Sequence, residues 1–333
     1  MTTATGPSRD LKAFAASYGQ RYGILFALVL VCVILTFANE FFLTQRNIVN
    51  VLRQASINGI LAIGMTFVIL TRGIDLSVGS IVALAGVVSA SLASTSSTAA
   101  AFGGPHPSVI ALCVGVLVGL AAGWVNGVIV SRFHVPAFVA TLGMLSAARG
   151  LTLLYTGGQP VPALTDGYRY IGRGDLFGIP MPIVVFAVVF LVSLWVLSST
   201  KFGRRVYAVG GNPHAARVSG INVDRVRLTV YVISGGLAGL AGMILAARTG
   251  SALPQAGIAY ELDAIAAVVI GGTSLAGGVG RITGTLIGAL LIAVVNNGLD
   301  LMGVESYYQQ VIKGALIVAA VMLDQARHKT ADS

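Results

Sequence analysis

The chain has 333 residues, 56% of them apolar and 10% charged, with 42 glycines and a net charge of +9. Soluble domains carry about 25% charged residues. A mean hydropathy of +0.86 and repeated apolar runs of roughly 20 residues therefore exclude that class and point to a polytopic α-helical membrane protein. The runs lack the polar/apolar alternation of barrel strands. The basic residues are spread over the loops with one cluster, which fits a positive-inside bias and not a nucleic-acid surface.

The polar, basic residues 1–22 read as a cytoplasmic tail, and the first apolar run after them as a retained span without an A-x-A-like cleavage site. About ten spans follow, at 23–39, 51–70, 78–95, 108–130, 137–155, 181–199, 227–247, 260–276, 282–299 and 308–324. The eighth ends in VVIGGTSLAGGVG and suits a partly re-entrant segment, which membranes tolerate where protein or water satisfies the backbone. Residues 23–325 form a single transmembrane domain with no linker, and 326–333 a second cytoplasmic tail. With both termini inside, fourteen of the 21 basic residues lie in the cytoplasm, as the charge rule expects. The outer segments, 94–108 and 156–180, are too short for a soluble domain. Cys32 and Cys113 lie inside apolar runs and read as small buried hydrophobes. GIDLSVGSI (73–81) and SLAGGVGRI (274–282) share a V-G-x-I tail, a weak trace of an internal repeat of the kind transporters carry.

Catalytic signatures are missing. None of Lys12, Lys201, Lys313 and Lys329 fits a P-loop, so ATP is not bound here in the usual cradle. LAGGV at 275–279 reads as a glycine-rich membrane turn. His106, His134, His214 and His328 lie on separate loops, without the spacing of a metal site or a triad. Acids near the spans are few: Asp75 at a span end, and Glu261 with Asp263 opening the eighth span. Buried acids are functional candidates by default, yet Asp75 suits a cap for the following helix and the other two suit a helix N-terminus. Asn58, Asn126, Asn296 and Asn297 punctuate the spans. Each singly reads as interhelical glue; together they favour a hydrophilic, uncharged cargo and mark a candidate path.

The most polar stretch is 200–227, TKFGRRVYAVGGNPHAARVSGINVDRVR, with Lys201, Arg204, Arg205, Arg217, Arg225 and Arg227 against Asp224. Inside it Asn212 can cap a helix that starts at Pro213, and Gly220 can end it. Ala215, Ala216 and Val218 then offer a small apolar face and Arg217 a charge. Composition leaves a docking element and a merely topogenic basic loop equally open.

The strings GIDLSVGS, VNGVIVSRFHVPAFVATLGM, GRRVYAVGGNPHAARVSGI, YELDAIAAVVIGGTSLAGGVGRITGTLIGALLI and NNGLDLMGVESYYQQVIKG resemble the permeases of ribose-type ABC sugar importers, from about residue 40 to 325. The resemblance implies the ABC importer permease fold and a permease that dimerises in the plasma (inner) membrane. A separate ATPase subunit would bind ATP and Mg, and a periplasmic or lipid-tethered binding protein would deliver the sugar. It also implies that the matching segment Gly210, Gly211, Asn212, Pro213, Ala215, Ala216, Arg217, Ser219, Gly220 and Ile221 docks in a groove of the ATPase. Cofactors, metal and catalytic residues are not expected in this chain. Another sugar, an autoinducer-like furanose or a branched-chain amino acid is the alternative cargo, and an intramembrane enzyme using Asp75 or Glu261/Asp263 is a remote alternative.

Overall fold

The computed structural model describes residues 7–96, 105–305, 307–315, 318, 319 and 322, with side chains from residue 23 onward. It is built from helices α1 (Pro7–Ala38), α2 (Gln45–Leu70), α3 (Val78–Ala93), α4 (Ser108–Ser131), α5 (Ala137–Thr156) and α6 (Asp166–Arg173), then α7 (Met181–Ser199), α8 (Lys201–Gly211), α9 (Pro213–Val218), α10 (Val223–Thr249), α11 (Tyr260–Ile270) and α12 (Ile282–Leu301). The outer segment 156–180 is partly structured. It holds α6, which buries Tyr168, and a small antiparallel hairpin, β1 (Asp175–Leu176) with β2 (Ile179–Pro180). Phe177 and Gly178 both take positive φ at its tip, the backbone that two-residue hairpins need.

Among the described residues six helices, α2, α4, α5, α7, α10 and α12, are long and apolar enough to cross a membrane, and Gly23–Ala38 and Val78–Ala93 are shorter apolar helices. The chain is thus a multi-pass membrane protein. The eighth run is helical only over the 11 residues of α11, about half the ~20 a full crossing needs. Gly271 and Gly272 follow it, the second with a left-handed φ of 84°, and the chain continues as loop to Arg281. The tenth run, 308–324, falls partly outside the described residues. Residues 307–315 are helical.

The helices form an inner and an outer set. The apolar stretch of α2 is 83% buried and that of α10 67%, whereas α5 and α7 are each 22% buried and turn large apolar side chains outward. A hydrophobic drive between helices is missing in lipid, so association rests on close packing. α10 packs most extensively on α4, then on α3 and α2. Gly119 and Gly123 of α4 meet Gly235 and Gly239 of α10 backbone to backbone: a β-carbon on Gly235 would fall on the Gly119 carbonyl and lie 2.7 Å from Gly123 Cα. The sequence repeats glycine at every fourth position there, 115, 119, 123 and 127 on one helix and 235 and 239 on the other.

Candidate functional site

The basic stretch 200–227 is helical for most of its length and not an open loop. Thr200 caps α8 by accepting from Gly203 N at 3.1 Å. Val206 and Val209 of α8 are buried while Arg204 and Arg205 stay exposed. Asn212 then ends α8 and starts α9. Its Oδ1 accepts from His214 N and Ala215 N, both at 3.0 Å, and Pro213 takes the first helical position, where no amide proton is required. The far end of α9 is a Schellman turn: Gly220, at φ 79°, donates to Arg217 O at 3.1 Å, and Ile221 N donates to Ala216 O at 3.0 Å. Asn222 caps α10 by accepting from Arg225 N at 2.9 Å. Both caps drawn from the sequence for α9, Asn212 and Gly220, are present.

One expectation about α9 needs correction. Ala216 does not belong to an outward face: it is 4% exposed and part of the protein's own core, with Ile221 packed against that core. The Schellman turn explains this, because it sets the residue after the glycine against the third residue from the helix end on one side. The outward side carries His214, Ala215, Arg217, Val218 and Ser219, and Val218 is 77% exposed. Arg217 reaches Asp224 at 3.4 Å, an exposed pair worth about 0–1 kcal/mol.

The base of this element is held by residues that the sequence did not single out. Arg72 follows α2 in a left-handed conformation, φ 66°, and donates through Nε to Gly210 O at 2.6 Å and through Nη2 to Gly211 O at 2.5 Å. Gly278 N donates to Leu70 O at 3.0 Å, and Tyr207 Oη to Gly280 O at 3.0 Å. Burial raises the Tyr207 phenol pKa, and Arg281 opposes the rise. Gly210 and Gly278 pack so closely that a β-carbon on Gly210 would lie 3.0 Å from Gly278 Cα and collide with the Leu70 carbonyl. The end of α2, the α8–α9 junction and the loop after α11 thus meet at one end of the molecule. The arginine–glycine pair after an apolar run was the available signal, but its partners lie more than 130 residues away.

The interior polar residues sort into separate clusters. Asp75 is fully buried; its Oδ1 accepts from Ser77 N at 3.1 Å and Ser77 Oγ at 2.6 Å, and its Oδ2 from Ser234 Oγ at 2.9 Å. It ties the α2–α3 link to α10 and does not cap the first turn of α3, a correction to the capping expectation. Burial pushes its carboxyl pKa above the ordinary value, against the lowering effect of the Ser77 and Ser234 bonds. Asn126 of α4 joins this cluster through Nδ2 to Ser77 Oγ at 2.8 Å. Asn297 and Asn47 exchange two amide bonds at 2.8 and 2.9 Å, joining α12 to α2. Asn296 donates to Asp263 Oδ2 at 3.4 Å, and the same oxygen meets Lys313 Nζ at 3.0 Å. Glu261 and Asp263 lie in the first turn of α11, as expected. Asn58 is buried on α2. Asn126, Asn296 and Asn297 thus take different hydrogen-bond partners. Among the described residues no group of three His, Cys, Asp or Glu side chains could hold a metal ion.

The family described as branched-chain amino acid transport system / permease component matches residues 47–321. The ribose import permease protein RbsC of Escherichia coli strain K12 is 46% identical over 331 residues, covering 98% of this chain and 100% of the relative. RbsC of Bacillus subtilis strain 168 is 48% identical over 311 residues, covering 92% and 94%. The D-allose transport system permease protein AlsC of Escherichia coli is 41% identical over 312 residues, covering 93% of each chain. No solved structure matches. The chain belongs to the branched-chain amino acid transport system / permease component family.

Proposed function

We propose that this member of the family is the permease subunit of an ATP-driven ABC importer that carries a monosaccharide, ribose or a close relative, into the cytoplasm by alternating access. The observation that carries the cargo class is identity of 46–48% to ribose import permeases over nearly the whole chain, above the 41% to the D-allose permease and the 37% to the galactose/methyl galactoside permease of Escherichia coli. In this reading ten membrane segments, some short or broken, place both termini in the cytoplasm. The protein sits in the plasma membrane as a pair of identical permeases. ATP and Mg are bound by a separate ATPase subunit, and a binding protein delivers the sugar.

The outward side of α9 is the docking surface for that ATPase. The separate caps at Asn212 and Gly220 make α9 a rigid unit, and Val218 offers the exposed apolar contact a groove requires. The arginine-to-carbonyl bonds at Arg72 then link the docked unit to the end of α2. Asn58, Asn126, Asn296 and Asn297 are, in this reading, the polar groups a passing sugar meets when the helices part. The test is reconstitution of the chain with its ATPase and binding protein in sealed vesicles. Labelled ribose is expected to accumulate only with ATP and all components present. Accumulation by the chain alone, or preference for a branched-chain amino acid over every sugar, would overturn the reading.

A further inference from the structure

Beside the α2–α3 link lies a cavity of about 240 Å³ lined by Thr71, Arg72, His134, Pro136, Arg227 and Tyr231 among others, with no aspartate or glutamate in its wall. It is below the ~300–1,000 Å³ typical of sites for drug-sized ligands and suits one compact anionic group. Three of its residues are basic or can become so, and each has donor capacity left. Arg227 makes no side-chain hydrogen bond or ion pair among the described residues. Arg72 commits Nε and Nη2 to Gly210 and Gly211 and leaves Nη1. His134 places Nδ1 3.1 Å from the Arg132 carbonyl, so its Nε2 can donate to an anion only in the protonated ring.

The backbone holds this set in place at a cost. Arg72 and His134 are two of the five non-glycine residues with positive φ among the described residues, at 66° and 55°, and such conformations concentrate at ligand-binding positions. Gly73 has no side chain, and its position is what lets the Tyr231 hydroxyl approach: a β-carbon there would lie 2.5 Å from it. Tyr231 Oη in turn donates to Ile74 O at 3.4 Å, which stands between the cavity and the buried Asp75 cluster. The acid nearest in sequence to Arg227, Asp224, is already paired with Arg217.

The rim is apolar. Phe133 is 72% exposed and Phe138 56%, on either side of the His134–Ala137 segment in the chain. The cavity lies at the end of the molecule that carries the basic segment, the end that positive residues mark as cytoplasmic. Basic pockets between membrane helices on that side suit anionic lipid headgroups, with aromatic side chains against the first carbons of the tails. We propose that this cavity binds the phosphate of an anionic phospholipid headgroup. Arg227 and His134 supply the charge-assisted bonds, and Phe133 and Phe138 border the acyl chains. The same chemistry would accept free phosphate, and the exposed Phe133 and Phe138, next in the chain to the lining residues His134 and Ala137, favour the lipid.

The test uses the purified full-length chain in a neutral detergent, titrated separately with short-chain phosphatidylglycerol, short-chain phosphatidylcholine and inorganic phosphate, with bound species counted by native mass spectrometry. Phosphatidylglycerol is expected to bind more tightly than phosphatidylcholine, and Arg227→Gln to weaken it about tenfold. His134→Gln is the second variant should Arg227→Gln fail to fold. Arg205→Gln, on the exposed side of α8, is expected to bind like the unmodified chain. Binding of inorganic phosphate that is lost in Arg227→Gln, with no preference between lipids, would keep the phosphate site and make free phosphate its source. Lipid and phosphate binding unchanged in both variants would overturn the proposal. An equal loss in Arg205→Gln would also overturn it, and so would capture of an acidic soluble partner in place of either ligand.

Discussion

The Asp75 cluster and the α9 helix invert the usual distribution of polar and apolar groups. At Asp75 a carboxylate, two serine hydroxyls and an amide are sealed in the interior, and they hold the α2–α3 link, α4 and α10 together. At α9 a valine is left 77% exposed beside a cation. The difference shows that position on the hydropathy scale does not decide a residue's role in this protein. What decides it is whether each group already has a partner within the chain. Interior polar atoms are largely consumed in holding helices, whereas the outward apolar atoms of Val218 at α9 are left exposed.

The sharpest way to break the interior side is steric. Gly235→Leu would drive a side chain into the α4 backbone, and folded, monodisperse protein is expected to fall to about a tenth or less of the unmodified yield by fluorescence-detected size exclusion. Removing the carboxylate is next. Asp75→Ala leaves Ser77 and Ser234 without their acceptor, at about 1–3 kcal/mol for each buried group so orphaned. A drop of several degrees in the detergent melting midpoint is expected, with Asp75→Asn losing less because it keeps an acceptor. An unchanged midpoint in Asp75→Ala would remove the cluster from the list of structural elements.

Asn212→Ala acts at the boundary between the two regions. Loss of the cap costs about 1 kcal/mol and should raise amide exchange at His214 and Ala215 while leaving the helices of the interior protected. The smallest effect expected is at Asn297→Ala. Breaking one interhelical amide pair in a membrane protein costs about 0.6 kcal/mol, so the midpoint should move less than in Asp75→Ala. A larger shift would mean that the pair with Asn47 carries more than helix glue.

How far these features can be read from the chain follows the range of the forces involved. The start and stop of α9 are legible because Asn212, Pro213 and Gly220 act on backbone groups within a few residues of themselves. The orientation of Ala216 is not, since three small apolar positions on a six-residue helix do not say which side meets the core. Membrane character is legible from hydropathy. The short α11 is harder, because an apolar run continues past the glycines that stop the helix. The distant partners of Asp75 (Ser234), Asn297 (Asn47) and Arg72 (Gly210) lie 159, 250 and 138 residues away, and no local pattern points to them. The different partners of Asn126, Asn296 and Asn297 are hidden from the sequence for the same reason.

The claim that rests most directly on this comparison is that the outward side of α9 binds the ATPase while its inward side belongs to the core. Val218→Glu and Ala216→Glu separate the two sides of one helix. The decisive measurement is capture of the ATPase subunit by each purified variant, read beside its melting midpoint. Val218→Glu is expected to keep the unmodified midpoint and lose at least about tenfold in ATPase capture and ATP-driven uptake, whereas Ala216→Glu is expected to lose the fold itself. Full capture and full uptake by a normally folded Val218→Glu chain would contradict the account.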